Sequence, residues 1–205
     1  MVIFDFDGTI ADSQEHVIAE YNRIAPRFRV KPIDPAELPR LRALSGPVAM
    51  KEHGVTFWKL PLIVSTMRRA LRNHAAGLEP HRGVADALRA LAASGCRLGI
   101  LSTNSKENID SFLRRHELAM FEVVAGGASM FGKARTLRRL SRELRLDPAR
   151  TFYVGDEIRD VEAAAKAGMR SIAVAWGYAD RGALARSQPT HLADDPGDLI
   201  RFVHV

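Results

Sequence analysis

Asp5-Phe6-Asp7-Gly8-Thr9 follows directly on the apolar run Val2-Ile3-Phe4. The run reads as a short buried strand, and the glycine lets the backbone turn where the strand ends. Carboxylates two residues apart share a face if the strand continues through them. One can then act as a nucleophile while the other handles protons. Calcium loops also use Asp and Gly, but they do not follow an apolar strand, and the downstream bidentate glutamate they need is missing here. A second acidic cluster, Gly155-Asp156-Glu157-Ile158-Arg159-Asp160, follows Thr151-Phe152-Tyr153-Val154. Taken alone, Asp156 fits the N-cap of the next helix, and Asp160 a complement to its dipole. Two acidic strand ends in one sheet say more, because carboxylates gathered at one edge repel unless a hard cation such as Mg²⁺ neutralises them. His16, His53, His74, His81, His116, His191 and His204 have no ligand-like spacing, so zinc is not expected. Magnesium points to phosphate.

These residues need elements to position them. Val84, Leu88 and Leu91 recur at helical spacing and Gly95 supplies a stop, after which Leu98-Gly99-Ile100-Leu101 reads as a buried strand. That strand ends at Ser102-Thr103-Asn104-Ser105, and Ser105 can cap a helix carrying Ile109, Phe112 and Leu113. Val123-Val124-Ala125 is a third strand, Thr151–Val154 a fourth and Ser171–Val174 a fifth, with a helix over about 159–167 stopping at Gly168. Residues 190–193 suggest a last short strand, and 199–202 a closing helix. Strands alternating with helices of this length predict a doubly wound parallel α/β sheet, in which ligands bind outside the carboxyl ends of the strands. The polar stretches 5–9, 102–105 and 155–160 all fall at such ends.

Residues 14–78 break the rhythm. They hold helical patterns separated by Pro32, Pro35, Pro39, Gly46, Pro47 and Pro61, with no convincing strand. Val17, Ile18, Tyr21, Ile24 and Ala25 form one apolar helix face, and Leu60, Leu62, Ile63 and Met67 a later one. The expected organisation is an α/β core of residues 1–13 and 79–205 with a helical cap of residues 14–78 inserted after the first strand. Its hinges are expected near 13–16 and 77–82, and it would exclude water and select the substrate.

Composition sets the remaining bounds. The chain has 205 residues, is 46% hydrophobic and carries a net charge of +6, enough to bury a sizeable core without the signature of disorder. No apolar run is long enough to span a bilayer. A cleaved signal peptide is not expected, because it would remove the first acidic strand. One cysteine, Cys96, allows no internal disulfide and reads as a small buried thiol, so the cytoplasm is the expected compartment. Arg135, Arg138, Arg139, Arg142 and Arg145 lie on the solvent arc of a helix whose inner face holds Leu137, Leu140 and Leu144. They lack an aromatic platform and a continuous basic stripe, so neither nucleic acid nor membrane is an expected partner.

Four segments carry a family resemblance. Asp5-Phe6-Asp7-Gly8-Thr9, Ser102-Thr103-Asn104, Lys133 within Gly132-Lys133-Ala134, and Gly155-Asp156 through Asp160 stand in the order of the four motifs of the haloacid dehalogenase superfamily. The chain resembles its phosphoglycolate-phosphatase-like branch, with a Rossmann-like core and a small helical cap. The resemblance implies a phosphatase acting on a small phosphorylated metabolite. It makes Asp5 the nucleophile that forms an aspartyl-phosphate, and Asp7 the general acid and base. Mg²⁺ would be held by the Asp5 carboxylate, the Asp7 main-chain carbonyl and Asp156, with Asp160 and Thr9 around it. Lys133, Ser102, Thr103 and Asn104 would hold the phosphoryl oxygens, Ser102 being preferred to Thr103 as the motif hydroxyl. A lysine at a helix start is usually just solvated, so the role of Lys133 rests on the resemblance. Dehalogenases of the superfamily lack the second aspartate, so Asp7 favours a phosphatase, with a sugar phosphomutase or a non-catalytic phosphate-binding or protein-interaction member as alternatives. In the cap, Arg42, Ser45, Lys51 and His53 are the polar residues within range of a substrate, each expected to be structural or solvent-facing rather than a substrate contact, and Glu157 and Arg159 are expected as surface or cap-facing residues rather than catalysts.

Overall fold

The computed structural model describes residues 1–71, 77–129 and 132–203; His74 and His204 lie outside them. Strands β1 (Val2–Phe4), β2 (Leu98–Leu101), β3 (Phe121–Ala125), β4 (Phe152–Gly155), β5 (Arg170–Val174) and β6 (His191–Ala193) form one sheet in the order β3-β2-β1-β4-β5-β6. Every pairing is parallel. The strand order reverses between β1 and β4, the switch point at which such sheets open a crevice for ligands.

Alternation along each strand decides which helix it buries. Val2 and Phe4, Leu98 and Ile100, Phe152 and Val154 point to one side. There they meet Leu88 and Leu91 of α5 (Val84–Ala93), Ile109 and Phe112 of α6 (Lys106–Arg115), and Leu199 of α10 (Asp198–Val203). Ile3, Leu101 and Tyr153 point to the other side. They pack on Leu137 of α7 (Lys133–Glu143) and on Ala163, Ala164 and Ala167 of α8 (Ile158–Ala167). A third cluster joins Val161 and Ala173 to Leu184 of α9 (Arg181–Arg186). Being covered on both faces, β1, β2 and β4 are apolar without polar alternation.

Between β1 and α5 the chain forms α1 (Gln14–Phe28), α2 (Leu38–Arg42), α3 (Gly46–Glu52) and α4 (Leu60–Leu71). Ile24, Ala25 and Phe28 of α1 pack with Val30 and with Ile63 of α4 in a cluster separate from the sheet's. The two connections to this segment run side by side: Asp12 donates its N–H to Glu79 and His81 donates to Ile10. Leu62 departs from expectation. It is 58% exposed, because residues 60, 63 and 67 define the inward face and 62 lies about 100° round from 63. Cys96 is half-buried against the core rather than fully enclosed, while the arginines of α7 are exposed as expected. No described helix is long and apolar enough to cross a membrane.

Phe112 joins the strand layer to the first acidic loop, its ring edge-on to Phe6 with centroids 5.0 Å apart. Truncating so enclosed an aromatic leaves a cavity that the sheet cannot close. Phe112→Ala is expected to lower stability by about 3–5 kcal/mol in urea unfolding, whereas a loss below about 1 kcal/mol would show that this junction is not part of the cooperative core.

Candidate active site

Each carboxyl-end loop of the central strands delivers one group. β1 ends at Phe4, and Asp5 is anchored by donating its N–H to the Val154 carbonyl of β4. The chain then folds tightly, with the amides of Ile10 and Ala11 donating to the carbonyl of Phe6. Gly8 sits at φ +78°, and a Cβ on it would lie 2.3 Å from Oδ2 of Asp156; both the turn and the close approach of β1 and β4 need glycine. Gly177, after β5, is as constrained: its Cβ would lie 2.2 Å from Cβ of Asp156 and 2.5 Å from the Gly8 carbonyl.

Charge is concentrated beneath these loops. Lys133, the first residue of α7, is 2% exposed. Its Nζ donates to Asp5 Oδ2 at 2.5 Å and to Asp160 Oδ1 at 2.6 Å. Asp160 holds the start of α8 by accepting the Glu157 N–H on its other oxygen. Asp156 is fully buried; Oδ1 accepts from Thr9 Oγ1 and Oδ2 from the Tyr178 N–H, both at 2.8 Å. Ligand oxygens of Asp5, Asp156 and Asp160 come within 4.8 Å of one another. Burial pushes the Asp5 carboxyl up to about 6, against the pull of Lys133. It drives Asp156 well above the usual carboxylate range, with repulsion from Glu157, Asp160 and Asp5 adding to it. Lys133 is also raised: desolvation lowers it, but its two carboxylates together outweigh that. One lysine bridges only two of three buried carboxylates. This all-oxygen, charge-excess donor set fits a hard divalent cation.

Asp7 faces a different neighbour. Asn104 Nδ2 donates to both of its oxygens, at 3.2 and 3.1 Å. The amide is oriented by its other end, since Oδ1 accepts from the Ser105 N–H and from Asn108 Nδ2, each at 2.8 Å. Burial raises the Asp7 carboxyl, opposed by the Asn104 and Ser13 hydrogen bonds. Ser102 is completely enclosed, and its hydroxyl accepts the Asn104 N–H at 3.0 Å.

Asp5 and Asp7 open onto one cavity of about 480 Å³, whose far wall is built by α1–α4. That wall is mostly aliphatic, including Val17, Ile18, Leu41, Met50, Ile63 and Met67. Two arginines fasten it to the core loops. Arg42 donates to the carbonyls of Tyr178 and Gly177 at 3.1 and 2.6 Å. Arg68 donates to those of Thr103 and Ala128 at 2.5 and 2.8 Å.

The structure thus gathers Asp5, Asp156, Asp160, Lys133 and Thr9 in one buried cluster, with Asp7, Thr103 and Asn104 beside it on the cavity. Ser102 lies under the loop rather than on the cavity wall. Arg42, Ser45 and His53 line the cavity; Lys51 is exposed and does not. Sequence reading passed over Gly177 and Tyr178, although they follow β5 and the rule used for β1, β2 and β4 applies to them. It also passed over Arg68 and Asn108, which carry no motif; Arg159, expected as a surface or cap-facing residue, lines the cavity beside the acidic pair.

A sequence profile of haloacid dehalogenase-like hydrolases matches residues 2–174. The phosphoglycolate phosphatase of Synechococcus elongatus is 39% identical over 203 residues, covering 98% of this chain and 96% of that protein. Pyrophosphatase PpaX of Bacillus velezensis is 25% identical over 213 residues, covering 100% of this chain and 96% of the relative. A haloacid dehalogenase-like family hydrolase from Streptococcus pneumoniae shares the fold with a TM-score of 0.81 at 19% identity, over 98% of this chain and 96% of that one.

The raised Asp5 carboxyl has a measurable sign. Without metal the folded chain holds this proton more tightly than the unfolded chain, whose value is near the ordinary 3.8. The associated stability is complete below that value and is lost as pH rises through about 6. In chelator, Asp5→Asn is expected to melt above the parent at about pH 7.5, the gap closing toward about pH 4. A melting difference that stays constant across this range contradicts the assignment.

Proposed function

Because the chain belongs to the haloacid dehalogenase-like hydrolases, we propose that it is a magnesium-dependent phosphatase that hydrolyses a small phosphomonoester through Asp5. The observation that carries this reading is the pairing of two unlike carboxyl groups on one cavity: Asp5 tied to Lys133, and Asp7 held by an amide. Asp5 is the nucleophile and Asp7 the proton carrier. Mg²⁺ would be held by the Asp5 carboxylate, the Asp7 main-chain carbonyl and Asp156, where it supplies positive charge to the transferring phosphoryl oxygens.

In the first step Asp5 Oδ forms a bond to phosphorus as the ester P–O bond breaks, and Asp7 gives its proton to the departing alkoxide. Burial keeps the Asp7 carboxyl able to carry that proton. In the second step Asp7 takes a proton from water, the hydroxyl attacks phosphorus, and the P–O bond to Asp5 breaks to release inorganic phosphate. Lys133 stabilises the charge that develops on the phosphoryl group and on Asp5. Thr103, Asn104 and Ser102 shape the phosphoryl subsite, and Asp160 and Thr9 hold Lys133 and Asp156 in place. Residues 14–78 act as the cap, excluding water from the aspartyl-phosphate until Asp7 delivers it.

The 39% identity to a phosphoglycolate phosphatase over nearly the full length of both chains makes 2-phosphoglycolate the first substrate to assay, with para-nitrophenyl phosphate as a general reporter. Both are expected to release phosphate with magnesium present and not with chelator. Asp5→Asn is expected to reduce turnover to background. Asp7→Asn should lower kcat by about 10²–10⁴-fold, and less with the para-nitrophenyl ester, whose leaving group needs little protonation. Turnover by Asp5→Asn at the parent rate would remove Asp5 as nucleophile.

A further inference from the structure

The charged residues on the cavity do not all have the same freedom. Among the described lining residues the arginines are Arg42, Arg68 and Arg159. Arg42 and Arg68 spend their guanidinium donors on main-chain carbonyls of the core loops, and each thereby fastens the helical wall. Lys133, below the cavity, gives two of its three N–H donors to Asp5 and Asp160, and the third is assigned to the phosphoryl group in the reading above. His53 is engaged with the carbonyl of Lys31. Arg159 differs. It comes from the first turn of α8, and among the described residues its only ion-pair partner is the neighbouring Glu157 and its buried Nη1 has no hydrogen-bond partner.

A guanidinium with an unused buried N–H, on a wall that is otherwise largely aliphatic, is a half-built anion site. The phosphoryl group is already served by Lys133 and the loop at 102–104 in the reading above. We propose that Arg159 is a specificity-determining residue that binds a carboxylate on the alcohol half of the phosphomonoester. Glu157 occupies that guanidinium when no substrate is bound, so an incoming carboxylate replaces a carboxylate. The exchange explains how a charged arginine is tolerated beside apolar residues in the empty cavity. It also sets the substrate class: a neutral alcohol phosphate of the same size cannot displace Glu157, because it offers the arginine no charge in return. Arg159 also lies close enough to act on Asp5 and Asp7, whose carboxyls its charge draws down.

This inference rests on the phosphatase reading, and the two fail differently. The probes are 2-phosphoglycolate and 2-hydroxyethyl phosphate, an analogue that keeps the phosphate and is uncharged at the other end, with parent, Arg159→Gln, Arg159→Lys and Glu157→Gln enzymes in magnesium. Arg159→Gln is expected to lower kcat/KM for 2-phosphoglycolate roughly 10- to 100-fold, chiefly through KM. The loss on the analogue should be at least about ten times smaller, and Arg159→Lys should restore part of the difference. Glu157→Gln is expected to lower KM for 2-phosphoglycolate and not for the analogue, a gain that misfolding cannot mimic. Equal losses on both substrates would assign Arg159 to the phosphoryl group and overturn the proposal. So would an unaltered ratio in Arg159→Gln together with an unaltered KM in Glu157→Gln. A parent enzyme that hydrolyses neither compound nor para-nitrophenyl phosphate would sink the phosphatase reading, and this one with it. A parent that prefers the analogue overturns only this one.

Discussion

Lys133 sits in the least hospitable place for an ammonium group, under the carboxyl ends of a parallel sheet and sealed from solvent, and it is held there by Asp5 and Asp160. A buried ion pair of this kind is a poor source of stability, since desolving the ions offsets most of their attraction. Its value is positional. Lys133 starts α7, Asp160 lies in the first turn of α8 and Asp5 directly follows β1, so one ammonium group draws three chain segments to a single point. Breaking it would leave two buried carboxylates without the lysine that bridges them, and among the described residues Asp156 beside them has no ion-pair partner. The surrounding fold is arranged to make this tolerable. Fully apolar strands fix the loops, and alanines on the inner face of α8 let it pack on the sheet.

A second constraint follows from the first. The loops must meet at van der Waals distance for the carboxylates to converge, which leaves no room for a Cβ at Gly8 or Gly177. The same crowding aims the Tyr178 N–H at Asp156 and frees the Tyr178 and Gly177 carbonyls to accept Arg42 from the helical wall. The wall is therefore attached to backbone that itself holds a carboxylate, and a shift in one is felt by the other.

The sheet and its carboxyl-end loops were legible in the sequence because short apolar runs, turn glycines and acidic strand ends are local signals, and each fell within a residue or two of its place. Asp5, Asp7, Asp156 and Lys133 could be singled out by type and order. The helical wall was legible only as helix. Leu62 was misplaced by a pattern that counted apolar residues without checking their angle, and of Arg42, Ser45, Lys51 and His53, all expected to be structural or solvent-facing, only Lys51 is exposed and off the cavity wall. Arg159 was legible as a surface or cap-facing residue, and it does face the cavity under the helical wall; its ligand-binding potential was not legible. What alters its reading is tertiary: the wall closes over it, and the other arginines on the cavity turn out to be engaged elsewhere.

Asn104 shows how the wall reaches the chemistry. Arg68 of α4 holds the carbonyl of Thr103, the preceding residue, while Asn108 accepts no role in any motif yet donates to Asn104 Oδ1 and fixes the direction of its amide. With Oδ1 committed, Nδ2 faces Asp7 and donates across both carboxylate oxygens. A donor so placed favours the ionised form of Asp7, while burial favours the protonated one, and burial prevails. Proton transfer in both directions requires that neither influence win by much. Because burial depends on the wall and the amide depends on the loop that the wall grips, loosening the wall weakens both influences together. The balance at Asp7 is thus a property of the closed assembly rather than of any one residue.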